Sequence, residues 1–591
     1  MIERTSPFTG PSRGRASAGA LTLVILLGAC SAPEQPENDA AAARAPDLST
    51  TTYASQNRPD VRGTTGAVSG DHPLAAQAGL EVLKDGGTAT DAIIAMAGVL
   101  AVTRPHMNGV GGDAFAIFYD GETGEVTALN ASGRSGALAT PEFFAEAGAD
   151  EIPQTGALSV SVPGAVAGWV DAHERFGTMP FADLLQPAIG LARDGFAVST
   201  RLALDFEEQG GELNEPGRSL YLPDGAAPRV GSLLRNPELA STLESIAQGG
   251  KAAFYEGSIA RSLAAFLEAE GGYLRAGDFA DHTSTWVEPL RGEYLDHTFV
   301  VMPPNTQGPA QLAMMAMSSE YPLATMGHNS VDYLHVLIEI KKLAFADRDR
   351  WIADPDMADV PIARLLDPGY LADRATLVDV DAAAEEVGPG FGDDHMAGRG
   401  ETDDSGDTVY LTAVDQWGNA VSWIQSNFAG FGSGLLEPTT GIVLQNRGAL
   451  YTLEPDHPNQ VAPGKRPYHT LSPMMALHLD GSFAFTIGTP GGDSQPQSLL
   501  QIVNNLLLFE MTPQEAVEAP RFRSMGGLRV SLENRVSTST AQRLIGRGHD
   551  LRLIDGWTAT FGGAQMIVYD AETGVLTAAA DPRREAYALA Y

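Results

Sequence analysis

One threonine in this chain stands where it could become a nucleophile. Thr408 follows Asp407 and opens the strand-like run TVYLTAVD. A threonine hydroxyl is a weak nucleophile unless a base takes its proton. If the chain is cut between Asp407 and Thr408, the new α-amine, with a pKa of about 7.7–8.0, becomes that base. The alternative is a structural threonine whose hydroxyl only forms a hydrogen bond at a strand start.

The chain after Thr408 supplies two further groups that such a reaction needs. The turn DQWGN, with aspartate first and glycine fourth, predicts a three-residue hairpin loop. Pairing the first and last residues of this turn places Ser426 opposite Thr408. In GTPGGDS, Gly491 and Gly492 predict a tight turn whose backbone N–H groups suit a developing oxyanion. After the first 30 residues, no Gly-x-Ser-x-Gly or His-Glu-x-x-His motif offers a different chemistry.

Two halves of different pattern must position these groups. Helical spacing predominates up to the acidic, glycine-rich stretch 385–407, as in the nearly all-apolar segment 88–105. Short apolar runs after it predict strands, with one helix over 496–510 and a closing hairpin over 564–581. Both faces of the run 408–415 are largely apolar, which predicts a sheet covered on both sides, as in two sheets between helix layers. The stretch 385–407 itself predicts an exposed loop.

The composition excludes several classes of protein. The 591 residues carry 74 Asp and Glu against 38 Lys and Arg, a net charge of −36. This charge repels phosphate backbones, so no nucleic-acid partner is expected. The length favours several domains or one large two-lobed fold. The 12 histidines show no metal-ligand spacing, and we expect neither a metal nor a cofactor.

The first 30 residues predict an export signal. Basic residues precede the apolar run ALTLVILL, and small residues lead to Cys30, the only cysteine. The pattern is similar to a bacterial lipobox, whose cysteine is lipidated and becomes the mature N-terminus; an ordinary cleaved signal is the alternative. Residues 31–60 predict a flexible tether. No other stretch has the length of a membrane span, so we expect an exported, periplasmic protein whose only anchor is a lipid.

Motifs over residues 65–591 resemble the γ-glutamyltransferase (glutathione hydrolase) family. In family order they are HPLAAQAGLEVLKDGG, VSVPGAVAGW, PPNTQGPAQL, GDTVYLTAVDQWGNAVSWIQSNFAGFGSG, GIVLQNRG, PGKRPYHTLSPMM and GTPGGDSQPQ. The resemblance implies an α/β (α+β) fold, the αββα sandwich of N-terminal-nucleophile hydrolases. It also implies a precursor that cuts itself before a threonine. Here that gives a large subunit, 61–407, and a small catalytic subunit, 408–591, which stay together.

The resemblance assigns roles to individual residues. Thr408 is the nucleophile, Ser426 the hydroxyl residue that positions it, and Gly491 and Gly492 the oxyanion pair. Four further residues are candidates for the substrate pocket: Asn427, which lies one place from a family position, and Asn446, His469 and Thr470, which occupy family positions. The last two replace a serine pair that holds the γ-glutamyl carboxylate, and only Thr470 keeps a hydroxyl.

The sequence also departs from the family pattern. The arginine that clamps the substrate carboxylate falls at Ser132, with Arg134 two residues later as the substitute. The aspartate that binds the substrate α-amine falls within 448–450, which carries no acid. A family asparagine is Phe428 here, one place after Asn427. A lid segment of some members is missing, and the match is closer to the branch that includes acylases of cephalosporin side chains.

These observations predict a self-processing γ-glutamyl hydrolase and transferase. Thr408 would attack a γ-glutamyl amide, most simply glutathione, and water or an amine acceptor would resolve the γ-glutamyl ester. One alternative is an acylase of glutaryl-type side chains, which follows if the α-amine clamp is truly absent. A second is a solute-binding lipoprotein without chemistry, which would remain a single chain.

Overall fold

The computed structural model describes residues 57–392 and 407–591. The export segment with Cys30, nearly all of the tether and most of the acidic loop before Thr408 lie outside the described residues. Among the helices of the described ranges, none has the length and apolar character needed to cross a bilayer.

The described residues form 21 strands and 19 α-helices. The strands are β1 (Val61–Gly63), β2 (Ala67–Gly70), β3 (Asp113–Tyr119), β4 (Val126–Ala131), β5 (Phe196–Ala197), β6 (Leu233–Leu234), β7 (Thr285–Val287), β8 (Leu290–Tyr294), β9 (His297–Val301), β10 (Asp407–Val414), β11 (Ala420–Phe428), β12 (Leu436–Glu437), β13 (Ile442–Val443), β14 (Met474–His478), β15 (Phe483–Gly488), β16 (Phe522–Ser524), β17 (Arg529–Glu533), β18 (Asp550–Ile554), β19 (Gln565–Asp570), β20 (Val575–Ala580) and β21 (Tyr587–Ala590). The helices are α1 (Pro73–Lys84), α2 (Ala89–Thr103), α3 (Pro141–Glu146), α4 (Ala165–Phe176), α5 (Phe181–Leu184), α6 (Gln186–Asp194), α7 (Thr200–Gln209), α8 (Glu215–Tyr221), α9 (Pro237–Tyr255), α10 (Ser258–Ala269), α11 (Ala276–Ala280), α12 (Gly308–Ser318), α13 (Leu323–Met326), α14 (Val331–Trp351), α15 (Ile362–Leu365), α16 (Pro368–Ala375), α17 (Ser494–Leu507), α18 (Pro513–Glu518) and α19 (Thr538–Gly546).

Two seven-stranded sheets form the centre of the protein. The first has the order β1-β20-β19-β15-β14-β9-β8 and the second β21-β2-β10-β11-β3-β4-β7. Neighbouring strands in both sheets run antiparallel. Each sheet contains strands from both sides of the Asp407–Thr408 bond, so the predicted large and small subunits share both sheets.

Three apolar layers hold the sheets and helices together. Between the sheets pack side chains such as Phe115, Tyr410 and Met475. Helices that include α2, α4 and α9 cover the outer face of the second sheet, and α12, α14 and α17 cover the first. All 15 residues of α2 are buried, as its apolar sequence predicts. The predicted sandwich of two sheets between helix layers is confirmed.

The predicted hairpin after Thr408 is present, with one irregularity. Asp415 N–H donates to the Asn419 carbonyl at 3.0 Å, and Gly418 takes a φ of 82°, as the turn chemistry requires. Residues 409–414 pair with 420–425 as the turn predicts. The register then shifts, so that Asp407 pairs with Phe428 and Thr408 lies in a β-bulge. A bulge redirects side chains and is frequent beside functional sites.

The predicted strand over GIVLQN is shorter than expected. Only Ile442–Val443 forms a strand. The following residues leave the ladder because their backbone groups bond elsewhere: Gln445 N–H donates to Gly111 O at 3.0 Å and Asn446 N–H to Asn427 O at 3.1 Å. This segment therefore runs beside the end of β11, next to Ser426.

Candidate active site

Thr408 is joined to Ser426 and Asp407 by a continuous hydrogen-bonded path. The Thr408 hydroxyl donates to Ser426 Oγ at 3.1 Å, and Ser426 Oγ donates to the main-chain carbonyl of Asp407 at 2.7 Å. Phe428 N–H donates to the same Ser426 oxygen at 2.7 Å, which fixes its orientation. All of these groups are buried. The hydroxyl predicted to be a nucleophile thus lies beside the bond predicted to be cut.

The central position of this path makes it rigid. β10 and β11 are neighbours in the middle of the second sheet, and Ser426 on β11 also pairs with Asp113 on β3. The bulge at Thr408 turns its hydroxyl towards Ser426 without breaking the ladder beyond Val409. A site on central strands is held more precisely than one on a free loop.

Gly491 and Gly492 form a turn between β15 and α17. Their φ angles are 126° and 55°, which side chains disfavour. A Cβ on Gly491 would meet Ser494 Oγ at 2.1 Å. Within the described residues neither N–H has an acceptor, whereas their carbonyls do accept hydrogen bonds. Two backbone donors are therefore available at the start of a helix, where an anion is favoured.

This turn lies over the strand that carries Thr408. Gly488, at the end of β15, packs on the ring of Tyr410, where a Cβ would meet ring carbons at 2.2 Å. Tyr410 is two residues along β10 from Thr408. Thr412 and Thr486, which face each other across the two sheets, share a hydrogen bond of 2.6 Å. The glycine turn predicted to bind an oxyanion therefore follows a strand that packs directly on the strand of Thr408.

His469 is a buried, neutral histidine. Its Nε2 lies 3.1 Å from Asp113 Oδ2, and its ring packs edge-on against Phe115 with 4.6 Å between centroids. Burial, with the charge of Arg447 added, holds the pKa of His469 well below its usual range. Burial also raises the pKa of Asp113 to about 6, a value that Arg447 and hydrogen bonds to the carboxylate keep from rising further. The Asp113 donors are Gly133 N–H, Gly164 N–H and the Gln445 amide.

Arg447 is a further group at this site, which sequence reasoning missed. Its Nη1 donates to the Thr470 hydroxyl at 3.0 Å, and its guanidinium lies 4.5 Å from the centre of the Phe428 ring. Arg447 is fully buried and directly follows Asn446. The signal was present in the motif LQNRG, where an arginine adjoins a residue assigned to the pocket.

Comparison with known proteins assigns the chain to a family. The family model described as gamma-glutamyltranspeptidase matches residues 75–591. The chain belongs to this family. It is 37% identical over 543 residues to the glutathione hydrolase-like YwrD proenzyme of Bacillus subtilis, covering 90% of this chain and 99% of the relative. It is 38% identical over 541 residues to the oxamate amidohydrolase proenzyme of Klebsiella pneumoniae, covering 89% and 99%.

A solved structure agrees with this assignment. The cephalosporin acylase of Bacillus halodurans is similar with a TM-score of 0.83 and 35% identity over 90% of this chain and 97% of the acylase. The chain is therefore an enzyme of the gamma-glutamyltranspeptidase family with the αββα fold of N-terminal-nucleophile hydrolases. This assignment removes the alternative of a non-catalytic solute-binding lipoprotein.

In this gamma-glutamyltranspeptidase-family chain, the described contacts of Arg134 include none of the other predicted pocket residues. Its Nη1 donates to Thr283 O at 3.3 Å, and Nη2 lies 4.0 Å from Asp356 Oδ2. Ser132, at the family arginine position, is buried, and its carbonyl accepts from Arg466 Nε at 3.2 Å. The contacts of Arg134 are thus a carbonyl and an exposed carboxylate, not Thr470 or Asn446.

Asn427 and Asn446 have different surroundings. Asn446 Oδ1 accepts from Ala429 N–H at 3.0 Å, and its Nδ2 donates to Gln154 O at 2.7 Å, so both ends of the amide already hold the loop after β11. Asn427 Nδ2 donates to Pro105 O at 3.3 Å, while its Oδ1 is buried without a described donor. Of the two, Asn427 is the one whose side-chain oxygen has no donor among the described residues.

A cavity of about 560 Å³ lies beside the predicted pocket residues. Arg348 and Tyr468 lie on its wall, and both bond Gln307 Oε1, at 2.9 and 3.2 Å. The amide of Gln307 donates in turn to the Thr470 and Gly492 carbonyls, at 2.6 and 3.1 Å. Gln307 thus connects two residues of the cavity wall to the glycine turn predicted to bind an oxyanion, and the volume suits a small substrate.

One cluster among the described residues has the composition of a metal site, although the spacing of the histidines in the sequence predicted none. Potential ligand atoms of His335, Glu339 and His549 lie within 4.8 Å of one another. However, His335 Nδ1 lies 2.8 Å from His549 Nε2, and His335 Nε2 lies 2.7 Å from Asp379 O. Lys342 Nζ contacts Glu339 at 2.7 Å. Because an ammonium already neutralises the carboxylate, the cluster fits a neutral histidine pair better than a cation.

Proposed function

We propose that this chain is a precursor that cuts its own Asp407–Thr408 bond and then cleaves amides through Thr408. The supporting observation is the buried path from the Thr408 hydroxyl through Ser426 Oγ to the Asp407 carbonyl. It joins an attacking oxygen, a proton carrier and the carbonyl under attack without any further residue. The family relatives described as proenzymes support the same order of events.

The hydrogen-bonded path accounts for each proton that moves during self-cleavage. Thr408 Oγ1 bonds to the carbonyl carbon of Asp407, its proton passes to Ser426 Oγ, and the Ser426 proton passes to the carbonyl oxygen. The C–N bond then breaks, the nitrogen of Thr408 takes back that proton, and an ester joins Asp407 to Thr408 Oγ1. Water hydrolyses the ester, which leaves a carboxyl terminus on Asp407 and a free amine and hydroxyl on Thr408.

Amide turnover then uses the freed amine. The amine takes the Oγ1 proton as the oxygen bonds to the substrate carbonyl carbon, because an α-amine titrates near neutral pH. The N–H groups of Gly491 and Gly492 stabilise the negative oxygen. The amine gives the proton to the leaving nitrogen, and an acyl ester remains on Thr408. Water resolves this ester in hydrolysis, and an amine acceptor resolves it in transfer.

We propose γ-glutamyl amides, with glutathione as the simplest, as one class of substrate. Family membership and the relative described as the glutathione hydrolase proenzyme of Bacillus subtilis, 31% identical over 583 residues, support it. Thr470 keeps a hydroxyl at a position that the family uses for the carboxylate. Arg447, 3.0 Å from that hydroxyl, offers a guanidinium that suits a carboxylate.

A specific observation favours a second class, amides of dicarboxylic acyl groups without an α-amine. Positions 448–450, where the family places the acid that binds the α-amine, are Gly448, Ala449 and Leu450. Asp113, the buried acid nearest to His469, already accepts from two backbone N–H groups and an amide. A glutaryl-type acyl group would therefore keep the contact to its carboxylate. Because it has no α-amine, the missing acid would cost it no interaction.

Two measurements test the proposal. Intact mass and N-terminal sequencing of the active protein should show a fragment that begins at Thr408, and Thr408→Ala should remain one inactive chain. Comparing kcat/KM for γ-glutamyl and glutaryl 4-nitroanilides then separates the two substrate classes. An active protein that stays uncut, or a cut and active alanine variant, would contradict the role of Thr408.

From the first 30 residues we also propose that the protein is exported and lipidated at Cys30, as a periplasmic, membrane-anchored enzyme. Mass spectrometry of the N-terminal peptide from a membrane fraction tests this. Cys30→Ala should move the activity to the soluble fraction if the cysteine carries the anchor, and an unmodified Cys30 in membrane-bound protein would contradict it.

A further inference from the structure

The residue before the predicted cut is held by a buried arginine. Arg584 Nη2 lies 3.1 Å from Asp407 Oδ1, and both side chains are 1% exposed. A buried carboxylate is tolerated only with a partner, and here the partner is charged and adjacent.

The fold holds Arg584 from two sides. It lies between β20, which belongs to the first sheet, and β21, which belongs to the second. Its aliphatic stem packs on Gly563, where a Cβ would meet Arg584 Cγ at 2.3 Å. Its Nη1 lies 3.5 Å from Met107 Sδ. The guanidinium is therefore aimed at Asp407 by packing, so little freedom remains to be lost when the pair forms.

Asp407 is thus fixed at two points. Ser426 binds its main-chain carbonyl at 2.7 Å and Arg584 binds its side-chain carboxylate at 3.1 Å. Two anchors on one residue fix the plane of the Asp407–Thr408 peptide relative to the Thr408 hydroxyl. Intramolecular attack depends steeply on such alignment, because the reacting atoms must already be in line.

We propose that Arg584 is a positioning residue for self-cleavage, which aligns the Asp407 carbonyl for attack through the Asp407 carboxylate and is not needed to the same degree for amide turnover. The inference rests on the proposed cut at Asp407–Thr408. It gives the acidic side chain before Thr408 a role in the precursor.

The test follows the full chain from cell-free translation on denaturing gels, with the rate constant for two-fragment formation as the readout. Arg584→Gln and Asp407→Asn should each slow cutting at least tenfold, and Arg584→Lys should restore part of the rate. The double variant should cut no more slowly than the slower single variant, because both changes remove one interaction. Once cut, Arg584→Gln should keep kcat, counted per small subunit, within about threefold of the parent.

A matched control and a stability measurement separate positioning from folding. Arg547 pairs with Asp332, another contact between segments on opposite sides of the cut, so Arg547→Gln should cut at the parental rate. Melting of the uncut Thr408→Ala and Thr408→Ala/Arg584→Gln proteins measures the cost of the change to folding. Parental cutting by Arg584→Gln, or slow cutting with a collapsed melting transition, would overturn the inference. If the parent chain itself never cuts, the proposed function fails instead.

Discussion

Ser426 Oγ lies 3.1 Å from Thr408 Oγ1 even though the strand register slips at Thr408. A regular ladder would leave both hydroxyls as one cross-strand pair among many. The bulge places the Asp407 carbonyl on the same serine oxygen, so one hydroxyl contacts both the attacking atom and the atom attacked.

Removing the Ser426 hydroxyl should therefore impair cutting more than folding. Ser426→Ala should lower the self-cleavage rate constant roughly 100-fold, within the usual range for a lost proton-transfer group, and Ser426→Thr should keep most of it. The control is Ser422→Ala on the same strand, whose hydroxyl bonds Tyr410 and Met474 O among the described residues. Equal cutting by Ser426→Ala and the parent would refute the relay.

A side chain at Gly491 should disable the oxyanion turn. The Cβ would meet Ser494 Oγ at 2.1 Å and the φ of 126° disfavours it. Gly491→Ala should lower kcat about 100-fold or more, as loss of one oxyanion donor does elsewhere, with a smaller change in KM. Gly190→Ala, where a Cβ meets nothing within 4 Å, is the matched control. A Gly491→Ala enzyme with parental kcat would argue against this turn as the oxyanion site.

Arg447 should govern recognition of the substrate carboxylate. Arg447→Gln should lower kcat/KM for glutaryl and γ-glutamyl 4-nitroanilides roughly 10- to 100-fold, the value of a charge-assisted hydrogen bond, and should leave butyryl 4-nitroanilide nearly unaffected. Arg134→Gln should change none of the three by more than about twofold, because its partners are Thr283 and Asp356. A selective loss in the Arg134 variant instead would assign recognition of the substrate carboxylate to Arg134 and not to Arg447.

Asp71 should make the uncut chain less stable as the pH rises from about 4 to 7. It is fully buried, neither oxygen has a described donor, and burial raises its pKa from 3.8 to about 7. Between these values the folded chain keeps a proton that the unfolded chain releases, so the free energy of unfolding falls by about 1.4 kcal/mol per unit of pKa difference. The charged groups around it are Arg104, Arg584, Asp205 and Glu585.

Urea unfolding of the Thr408→Ala chain at several pH values measures this effect. Asp71→Asn carries no titrating group there, so its stability should fall less over the same interval. Parallel pH profiles for the two proteins would show that Asp71 is ionised throughout.

Chelation should leave the enzyme unaffected. The His335–His549 contact already satisfies one nitrogen of each ring, and burial lowers the pKa of His549 to about 3. Incubation with EDTA followed by desalting should change neither the melting temperature nor the activity. A drop in melting temperature that added Zn²⁺ reverses would identify the cluster as a metal site.

The sequence predicted the hairpin after Thr408 but not the bulge at its start. The turn at Asp415 and the alternating direction of side chains along β10 and β11 are local features. The pairing partners of residues 409–414 and the sheet face of each side chain could therefore be predicted. The bulge could not, because the contacts of the residue beside it are not local: Asp407 accepts from Arg584, 177 residues away. Likewise, β1 pairs with β20 across nearly the whole chain, and no local pattern announces such a partner.

The contacts of the predicted pocket residues were less predictable than the pairing of the hairpin. Arg134 follows the end of β4 and turns to Thr283, whereas Arg447 lies between Phe428 and Thr470. Which of two arginines faces a site depends on backbone direction after a strand ends, and spacing in the sequence does not encode it.

Both central sheets contain strands from either side of Thr408. Neither of the two fragments made by the cut would therefore contain a complete hydrophobic core by itself. Cutting one bond thus leaves the folded structure intact but changes how the protein can refold after it has melted. Before the cut, a melted molecule carries every strand it needs; afterwards, two polypeptides must meet again. Recovery from heat should therefore depend on protein concentration in the matured enzyme only, so self-processing also makes its folding a one-way event in dilute surroundings.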